Sequence, residues 1–222
     1  MSQKRRRENP EYYRSLGCVV PRKFVFPNKS GGLAELIGVL LGDGCITKGQ
    51  VSVTLNKETD KLFIEYVVNL IQELFHYTPS VLERNHSKVK VIVISGIRMV
   101  EFLYGIGMRI GNKVRQQVDV PVWIKEDKEF VRWCVRGLVD TDGGVFEHKY
   151  KIRNKEYSYL KLHFTNKSKP LIQFVYKVLD SVGLHPKLFS DNKVWLYSET
   201  EVKRYLEIIG SSNDRLLQKL RV

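Results

Sequence analysis

Two stretches of the chain have the same run of apolar positions, and each run ends at an aspartate followed by glycine. The first, LIGVLLGDGC (36–45), carries a single charge, Asp43. Its length, with Leu33 and Ala34 upstream, and its i, i+4 pair Gly38 and Gly42 predict a buried helix. A carboxylate at a helix C-terminus is disfavoured by about 0.3–1 kcal/mol, because that end carries partial negative charge. Asp-Gly is also a common tight-turn dipeptide, so the stretch alone is compatible with a purely structural role.

The second stretch, FVRWCVRGLVDTDGGV (130–145), repeats the first in register. Aligning LIGVLLGDG (36–44) with VRGLVDTDG (135–143) matches Gly38 with Gly137 and Asp43 with Asp142. The unfavourable acid therefore occurs twice.

The elements that follow each copy also correspond. The first copy precedes a strand, a helix, a hairpin and a helix at 50–56, 58–75, 79–95 and 97–107. The second precedes a ribbon, a helix, a hairpin and a helix at 144–166, 169–183, 185–198 and 200–210. The pattern predicts an α+β fold of two αββαββα repeats related by a pseudo-twofold axis. The segments are a basic N-terminal arm (1–32), a first repeat (33–113), a linker containing Pro121 (114–127) and a second repeat (128–222).

The two aspartates are expected to meet where the repeats meet. If the apolar helices form the contact, Gly38, Gly42, Gly137 and Thr141 let the backbones approach closely. Two carboxylates ~4 Å apart repel by several kcal/mol even at an effective dielectric of 20, unless a cation lies between them. Oxygen ligands favour a hard divalent ion such as Mg²⁺, which suits phosphodiester hydrolysis.

Composition narrows the class of partner. The chain has 37 Lys and Arg against 24 Asp and Glu, a net charge of +13 and a pI near 9.6, which indicates a polyanionic partner such as nucleic acid or an acidic membrane surface. No apolar run is long enough to span a bilayer, and MSQKRRRENP lacks the apolar core of a secretory signal. The three cysteines are far apart, as in a reducing compartment. We therefore expect a soluble intracellular protein whose basic arm is solvated.

The two motif copies, LIGVLLGDG and VRGLVDTDG, resemble the LAGLIDADG motif, and the doubled plan is similar to that of the single-chain LAGLIDADG homing endonucleases from residue 33 to 215. The resemblance implies a saddle of two antiparallel sheets packed under helices. It also implies a monomeric endonuclease that cuts double-stranded DNA across the minor groove, leaving 3′ overhangs. Mg²⁺ would be the cofactor, and Mn²⁺ or Ca²⁺ could substitute in the site.

The resemblance also suggests roles for individual residues. The last acid of each motif, Asp43 and Asp142, would bind metal. The residues preceding them, Gly42 and Thr141, belong to the same candidate site. Asn56 and Asn166, at the end of the second strand of each repeat, would hold water. Lys113 would order solvent and stabilise charge near the scissile phosphates, and Arg215 takes that place in the second repeat if one residue is deleted.

Alternating positions on the strands predict a DNA-reading surface of roughly 20 bp. In the ribbon one face is expected to carry a charged or aromatic set, with Phe146, Tyr150, Ile152, Leu160, Leu162 and Phe164 on the other. That DNA-reading set is Glu147, Lys149, Lys151, Arg153, Tyr157, Tyr159, Lys161 and His163. Its first-repeat counterparts are Lys48, Gln50, Ser52, Thr54, Arg84, Asn85, His86, Lys88 and Lys90, and the last hairpin adds Lys187 and Lys193.

Other readings are weaker or excluded. An EF-hand loop starting at Asp140 would have Lys151 at its twelfth position, and no P-loop sequence is present. An intein would need a nucleophile first and Asn last, so a chain from Met1 to Val222 is expected to be free-standing. The serious alternatives are an intron RNA maturase or a non-cleaving DNA-binding regulator on the same fold. A structural basic protein predicts binding that follows salt and not sequence.

Overall fold

A computed structural model describes residues 12, 15, 16, 23–83, 87–189 and 192–220, and within these ranges the chain forms two similar halves. The first half has α1 (Gly31–Gly42), β1 (Gly44–Ile46), β2 (Gln50–Asn56), α2 (Lys61–Phe75), β3 (Ser80–Glu83), β4 (Val89–Ser95), α3 (Ile97–Gly105) and α4 (Lys113–Gln116). After α5 (Val122–Lys125), the second has α6 (Lys128–Asp142), β5 (Gly143–Ile152), β6 (Lys155–Thr165), α7 (Lys169–Ser181), β7 (Lys187–Phe189), β8 (Lys193–Leu196), α8 (Glu199–Ile208) and α9 (Asp214–Leu217).

The two motif helices, α1 and α6, form the centre of the molecule. Ser30 is the N-cap of α1, and its side chain accepts a hydrogen bond from the Leu33 amide. Asp127 is the N-cap of α6, and its side chain accepts hydrogen bonds from the Glu129 and Phe130 amides. Their backbones are nearly in contact. A Cβ on Gly38 would lie 2.3 Å from the Cys134 carbonyl oxygen, and one on Gly137 would lie 2.3 Å from that of Glu35. The small residues therefore allow the close approach that the sequence predicted.

Each half contributes one antiparallel four-stranded sheet, with strand orders β1-β2-β4-β3 and β5-β6-β8-β7. One face of each sheet is buried in the core, through Val51, Val53 and Leu55 in the first half and Leu162, Phe164 and Leu196 in the second. This arrangement confirms the two-repeat α+β fold. The sequence missed β1, because three residues between a helix and a turn give no readable alternation.

The ribbon β5–β6 has a different face assignment from the predicted one. Its turn is the two residues Arg153 and Asn154, both with positive φ, so Ile152 pairs with Lys155 and every pair joins an even to an odd position. Phe146 thus lies opposite Lys161, and Tyr150 opposite Tyr157. Directly paired residues share a face, so the predicted face is wrong. That prediction grouped Glu147, Lys149, Lys151 and Arg153 with Tyr157, Tyr159, Lys161 and His163. Glu147, Lys149 and Lys151 lie instead on the face of Leu160 and Leu162.

The same register argument changes the sheet face assigned to Lys90. It pairs with Leu55 and Glu83, so it lies on the face of the core residues and not with Gln50, Ser52 and Thr54 as predicted.

The segments outside the repeats are also packed where they are described. Phe26 stacks on Phe102 with ring centroids 4.8 Å apart, and Phe24 lies 4.8 Å from Tyr77. Residues 23–30 thus pack on the first half through their aromatic rings. The stretch MSQKRRRENP, which was expected to be solvated, lies outside the described residues. In the linker, buried Trp123 donates its indole N–H to the Ile106 carbonyl at 3.0 Å. Among the described residues, no helix has the length and apolarity that crossing a membrane requires.

Candidate active site

The structure brings Asp43 and Asp142 together at the end of the α1–α6 pair. Asp43 follows α1 and its amide bonds to the Val39 carbonyl, while Asp142 is the last residue of α6. A Cβ on Gly42 would lie 3.4 Å from the Asp142 Oδ2 atom, so this carboxylate lies against the last turn of α1. Burial raises the pKa of Asp43 to about 6, and the charge of Asp142 adds to the shift while Lys113 opposes it. Burial also raises the pKa of Asp142, against the opposing effects of the hydrogen bond from Asn166 and the charge of Lys113.

Lys113 caps the C-terminal end of α1. Its Nζ donates to the carbonyls of Leu40 (3.2 Å), Leu41 (2.9 Å) and Gly42. Helix ends leave such carbonyls without partners inside the helix, and a cation there is favoured by the helix dipole. Burial lowers the pKa of Lys113, while Asp142 and Asp43 oppose that shift. The ammonium group thus partly neutralises the charge that the aspartates and helix ends concentrate.

A cavity of about 300 Å³ opens beside Asp142 and is lined by Lys113, Asn166 and Lys167, among others. The Asn166 side-chain amide donates to Asp142 Oδ2 at 2.6 Å, and its oxygen accepts from the Ser168 amide at 2.7 Å. Asn166 is therefore fixed at both ends, with its amide directed at the carboxylate.

Arg215 caps α6 in the way that Lys113 caps α1. Its guanidinium donates to the carbonyls of Asp140 (3.2 Å) and Gly143 (3.4 Å), and to the Asp60 carboxylate (3.0 Å). Lys113 follows its N-cap, Asn112, directly, whereas Arg215 lies two residues after Asn213. The structural equivalence accounts for the one-residue deletion that the alignment of Arg215 requires.

Lys113 acts on both carboxylates. It lines the cavity beside Asp142, and its charge opposes the raised pKa of Asp43 more strongly than the charge of Arg215 does. Asp60, which the sequence analysis did not single out, holds Arg215 and also accepts from Asn213 at 3.0 Å. In the sequence Asp60 looks like an ordinary helix N-cap, and only its burial reveals the additional role.

Asn56 and Asn166 have different surroundings. The Asn56 side-chain oxygen accepts from the amides of Glu58 (2.9 Å) and Thr59 (3.2 Å) and so closes the turn before α2. The role of Asn56 in holding water stays a prediction.

The described residues contain no group of three or more His, Cys, Asp or Glu side chains placed to hold a metal ion. The Thr141 hydroxyl donates to the carbonyls of Gly137 and Leu138, both at 2.9 Å, and the Gly42 carbonyl accepts from Lys113. The carboxylates of Asp43 and Asp142 remain the strongest candidate ligands. Mg²⁺ commonly binds one or two carboxylates and completes its shell with water and substrate phosphate oxygens, which fits this donor set.

The outward face of the first sheet is mainly polar in β2. Gln50 and Thr54 are exposed and Ser52 is half-buried, and Lys48 is exposed in the preceding turn. The lysines near the far edge are paired: Lys57 lies 2.6 Å from Glu83, and Lys88 lies 3.7 Å from Glu58. The predicted contacts Arg84, Asn85 and His86 lie outside the described residues.

The outward face of the second sheet is aromatic. We call it the aromatic face, and its rings are Phe146, His148, Tyr150, Tyr157, Tyr159, His163, Trp195 and Tyr197. Lys161 is buried within it, its Nζ 5.0 Å from the Tyr159 ring centroid and 4.9 Å from that of Tyr197. Lys187 and Lys193 share this face through their register with Trp195. The sequence analysis missed Phe146, His148, Tyr150 and Trp195, although the two-residue turn would have placed the first three.

The charged residues of the ribbon lie mostly on its opposite face and neutralise one another. Glu147 lies 3.1 Å from Lys149 and accepts a hydrogen bond from Ser158, and Lys151 lies 2.9 Å from Glu156. The ribbon therefore offers fewer free cations than its composition predicts.

Comparisons with known proteins agree with the motif and the fold. Residues 129–210 match the family described as LAGLIDADG-like domain. Over 198 residues the chain is 26% identical to the replication factor C small subunit of Methanocaldococcus jannaschii, covering 85% of this chain and 10% of the length of that relative.

Two solved structures share the fold. The I-LtrWI LAGLIDADG homing endonuclease bound to target DNA aligns with a TM-score of 0.57 and 11% identity, over 84% of this chain and 87% of that one. I-DmoI in complex with DNA and Mn aligns with a TM-score of 0.53 and 16% identity, over 83% of this chain and 98% of that one. The domain match thus covers the second motif copy, and the fold of these structures agrees with the doubled plan that the two copies predict.

Proposed function

We propose that this protein is a site-specific DNA endonuclease. The proposal starts from its LAGLIDADG-like domain and from its fold, which is that of LAGLIDADG homing endonucleases. It would bind as a monomer to a double-stranded target of roughly 20 bp, about one helical turn for each half, and cut both strands across the minor groove to leave 3′ overhangs. The solved relatives are described as DNA complexes, one of them with Mn. Divalent metal dependence and DNA as the substrate are carried to this chain as parts of the proposal.

The observation that carries the proposal is the pair of aspartates at the joined ends of α1 and α6. Two half-buried carboxylates at two negative helix ends are costly, and the raised pKa of Asp43, about 6, is consistent with that cost. Lys113 and Arg215 offset part of it, each by donating to the carbonyls at a helix end. A bound divalent cation would offset the rest.

In this proposal the residues of the site have separate tasks. Asp43 and Asp142 hold Mg²⁺, which when bound lowers the pKa of water and stabilises charge on the phosphate oxygens. Asn166 orients Asp142 through its 2.6 Å hydrogen bond. Lys113, adjacent to the cavity beside Asp142, supplies a positive charge for the scissile phosphate, and Arg215 has the equivalent place near Asp43.

Charge supports DNA as the partner. The net charge of +13 favours a polyanion, and both sheets present an outward face on the side away from the helical core. A regulator that binds DNA without cutting is the alternative that the following test separates from an endonuclease.

The experiment uses a plasmid library with a randomised 24-bp insert, incubated with the purified protein and Mg²⁺ or Mn²⁺, and sequencing of the ends produced. We expect enriched cut sites with 3′ overhangs, no cutting in EDTA, and no cutting by Asp43→Asn or Asp142→Asn although both still bind the selected duplex. An Asp180→Asn variant, which changes an exposed aspartate on α7, serves as control and should cut normally. Double-strand cutting by either active-site variant contradicts the assignment, and selective binding without cutting by the unaltered protein indicates the regulator.

A further inference from the structure

We propose that the aromatic face reads thymine methyl groups in the major groove of one target half. The first sheet would read the other half mainly by hydrogen bonds. The inference rests on the proposed DNA-binding function and assigns a recognition chemistry to the second sheet, which the LAGLIDADG-like match does not specify.

The rings form one connected surface on a single face. Tyr150 stacks on Tyr157 with centroids 5.3 Å apart, and Phe146 meets Trp195 edge to face at 5.3 Å. His148 lies 5.3 Å from Tyr159 and so joins the ribbon pairs to one another. Because each ring is held by its neighbours, little side-chain freedom would be lost on binding a partner.

This surface is not part of the protein core. The core of the second half is on the other face of the sheet, where Leu162, Phe164 and Leu196 are buried. On the aromatic face Tyr150 is 39% exposed and Tyr157 is 43% exposed. A contiguous exposed apolar surface in a chain of this charge indicates a binding surface and not a solvated one.

The aromatic face also begins beside the candidate active site. Gly144, two residues after Asp142, pairs with His163, and a Cβ on Gly144 would lie 2.7 Å from the His163 Nε2 atom, so His163 is next to the end of α6. From there the ten residues of β5 extend about 33 Å, close to the length of one turn of DNA. The rings would thus lie along one half of a target centred on the two aspartates.

The centre of this face is mainly ring carbon; its polar atoms are ring hydroxyls and nitrogens, and its lysines Lys155, Lys187 and Lys193 lie at the ribbon turn and on β7 and β8. Lys161 is held between the Tyr159 and Tyr197 rings, and the ribbon carboxylates and their lysine partners Lys149 and Lys151 lie on the opposite face. Among the features that base pairs present in the major groove, the thymine methyl is the one that apolar contact recognises. The first sheet differs along β2, where Gln50, Ser52 and Thr54 supply donors and acceptors on its outward face. Val91 and Leu82, on β4 and β3, share that face.

The test uses the duplex selected in the cleavage experiment and replaces thymine by deoxyuridine, which removes only the methyl group, in one half at a time. Binding is measured by gel shift in Ca²⁺. We expect Kd to rise about 3- to 4-fold for each contacted methyl in one half, the effect of burying one methyl group, and to change less than about 1.5-fold in the other. Tyr150→Ala and Tyr157→Ala should bind the normal and substituted duplexes equally, whereas Tyr150→Phe should keep the difference.

Tyr104→Ala is the matched control, because Tyr104 is 55% exposed but lies on α3, away from both sheets' outward faces. It should bind like the unaltered protein. Melting temperatures of all variants check that the ribbon is folded.

The outcomes separate this inference from the proposed function. If a target is selected but methyl removal has no effect in either half, the inference is wrong and the proposed nuclease function stands. The same conclusion follows if the selected target lacks thymine in one whole half and methyl removal in the other half has no effect. Tighter binding of single-stranded oligonucleotides than of the duplex would assign the rings to stacking on unpaired bases and overturn it as well. If no sequence is enriched at all, the proposed function fails.

Discussion

Asp43 is the residue at which stability and function conflict most directly. Its pKa is raised from 3.8 to about 6, first by burial and then by Asp142. The folded state therefore binds the proton more tightly than the unfolded state, so the associated stability is present at pH values below 3.8 and is lost as the pH rises through 6. At neutral pH the charged side chain destabilises the fold.

We therefore expect Asp43→Asn to stabilise the metal-free protein at pH 7.5 by about 1–3 kcal/mol, since one pKa unit corresponds to ~1.4 kcal/mol. The gain should fall as the pH drops through 6 and disappear below 3.8, where Asp43 is protonated in both the folded and the unfolded protein. Thermal melts across this range in EDTA check the prediction, with the exposed-site variant Asp180→Asn measured alongside as the control. A loss of stability at pH 7.5 would contradict the account of Asp43 as a strained acid. Added Mn²⁺ should stabilise the unaltered protein and not the variant.

Lys113 has two roles, because it caps the C-terminal end of α1 and supplies a positive charge beside Asp142. Stability measurements report on the first role and cleavage rates on the second. Lys113→Ala leaves the carbonyls of Leu40, Leu41 and Gly42 without this donor, and we expect a stability loss of about 1–2 kcal/mol. Because Lys113 lines the cavity beside Asp142, cleavage should fall by at least 100-fold while Kd changes less than 10-fold. Strand-resolved rates on the selected duplex should show the same strand slowed most by Lys113→Ala and by Asn166→Ala. An equal loss in cutting and binding would reduce Lys113 to a phosphate contact.

At the scale of elements, the α1–α6 contact determines the separation of the aspartates. Gly38→Ala would place a Cβ 2.3 Å from the Cys134 carbonyl oxygen, so the helices must move apart. We expect a destabilisation of about 2–4 kcal/mol and a cleavage defect that exceeds the binding defect. Gly49→Ala is the control, because a Cβ there meets nothing within 4 Å. Normal stability and activity of Gly38→Ala would show that the site tolerates a wider helix pair.

The elements were predictable where periodicity was long. α1, β2 and the hairpin β3–β4 lie where the apolar pattern put them, and β2 has the predicted bounds, Gln50–Asn56. The pairing of Asp43 with Asp142 followed from the repeat and from the small residues between the helices. These inferences succeeded because one face of each element must be buried, which constrains the sequence strongly.

The parts that the sequence did not give depend on tertiary partners. In the sequence, Arg215 aligns with Lys113 only if one residue is deleted. Its hydrogen bonds to the Asp140 and Gly143 carbonyls, at the end of α6, show that the two residues are equivalent. The ribbon faces were wrong because the turn residues Arg153 and Asn154 determine the register, and a shift of one residue exchanges the faces. In the part of the ribbon that extends past the core, Tyr150 and Lys149 are both exposed. Apolar and polar positions therefore do not alternate there with burial, and the wrong face assignment could not be recognised from the sequence.

At the scale of the molecule, we expect the two halves to unfold as one unit, because polar as well as apolar contacts cross between them. Fully buried Glu35, on α1, accepts from the Arg136 guanidinium at 2.8 and 2.7 Å and from the Ser212 hydroxyl at 2.8 Å, both in the second half. Tyr66 adds a 2.6 Å hydrogen bond to the same carboxylate. The buried apolar residues of both halves also form a single cluster around α1 and α6.

Glu35→Ala should therefore weaken both sheets by the same amount. Removing one partner of a buried ion pair leaves the Arg136 charge unpaired and costs about 3–5 kcal/mol. We expect one cooperative thermal transition at a lower temperature, and native-state hydrogen exchange should show equal losses of protection in β2 and β6. Glu129→Ala, which removes an exposed i, i+3 pair with Arg132, should cost less than about 1 kcal/mol. Two resolved transitions, or protection lost in one sheet alone, would show that the halves unfold separately and that their association, not their folding, positions the aspartates.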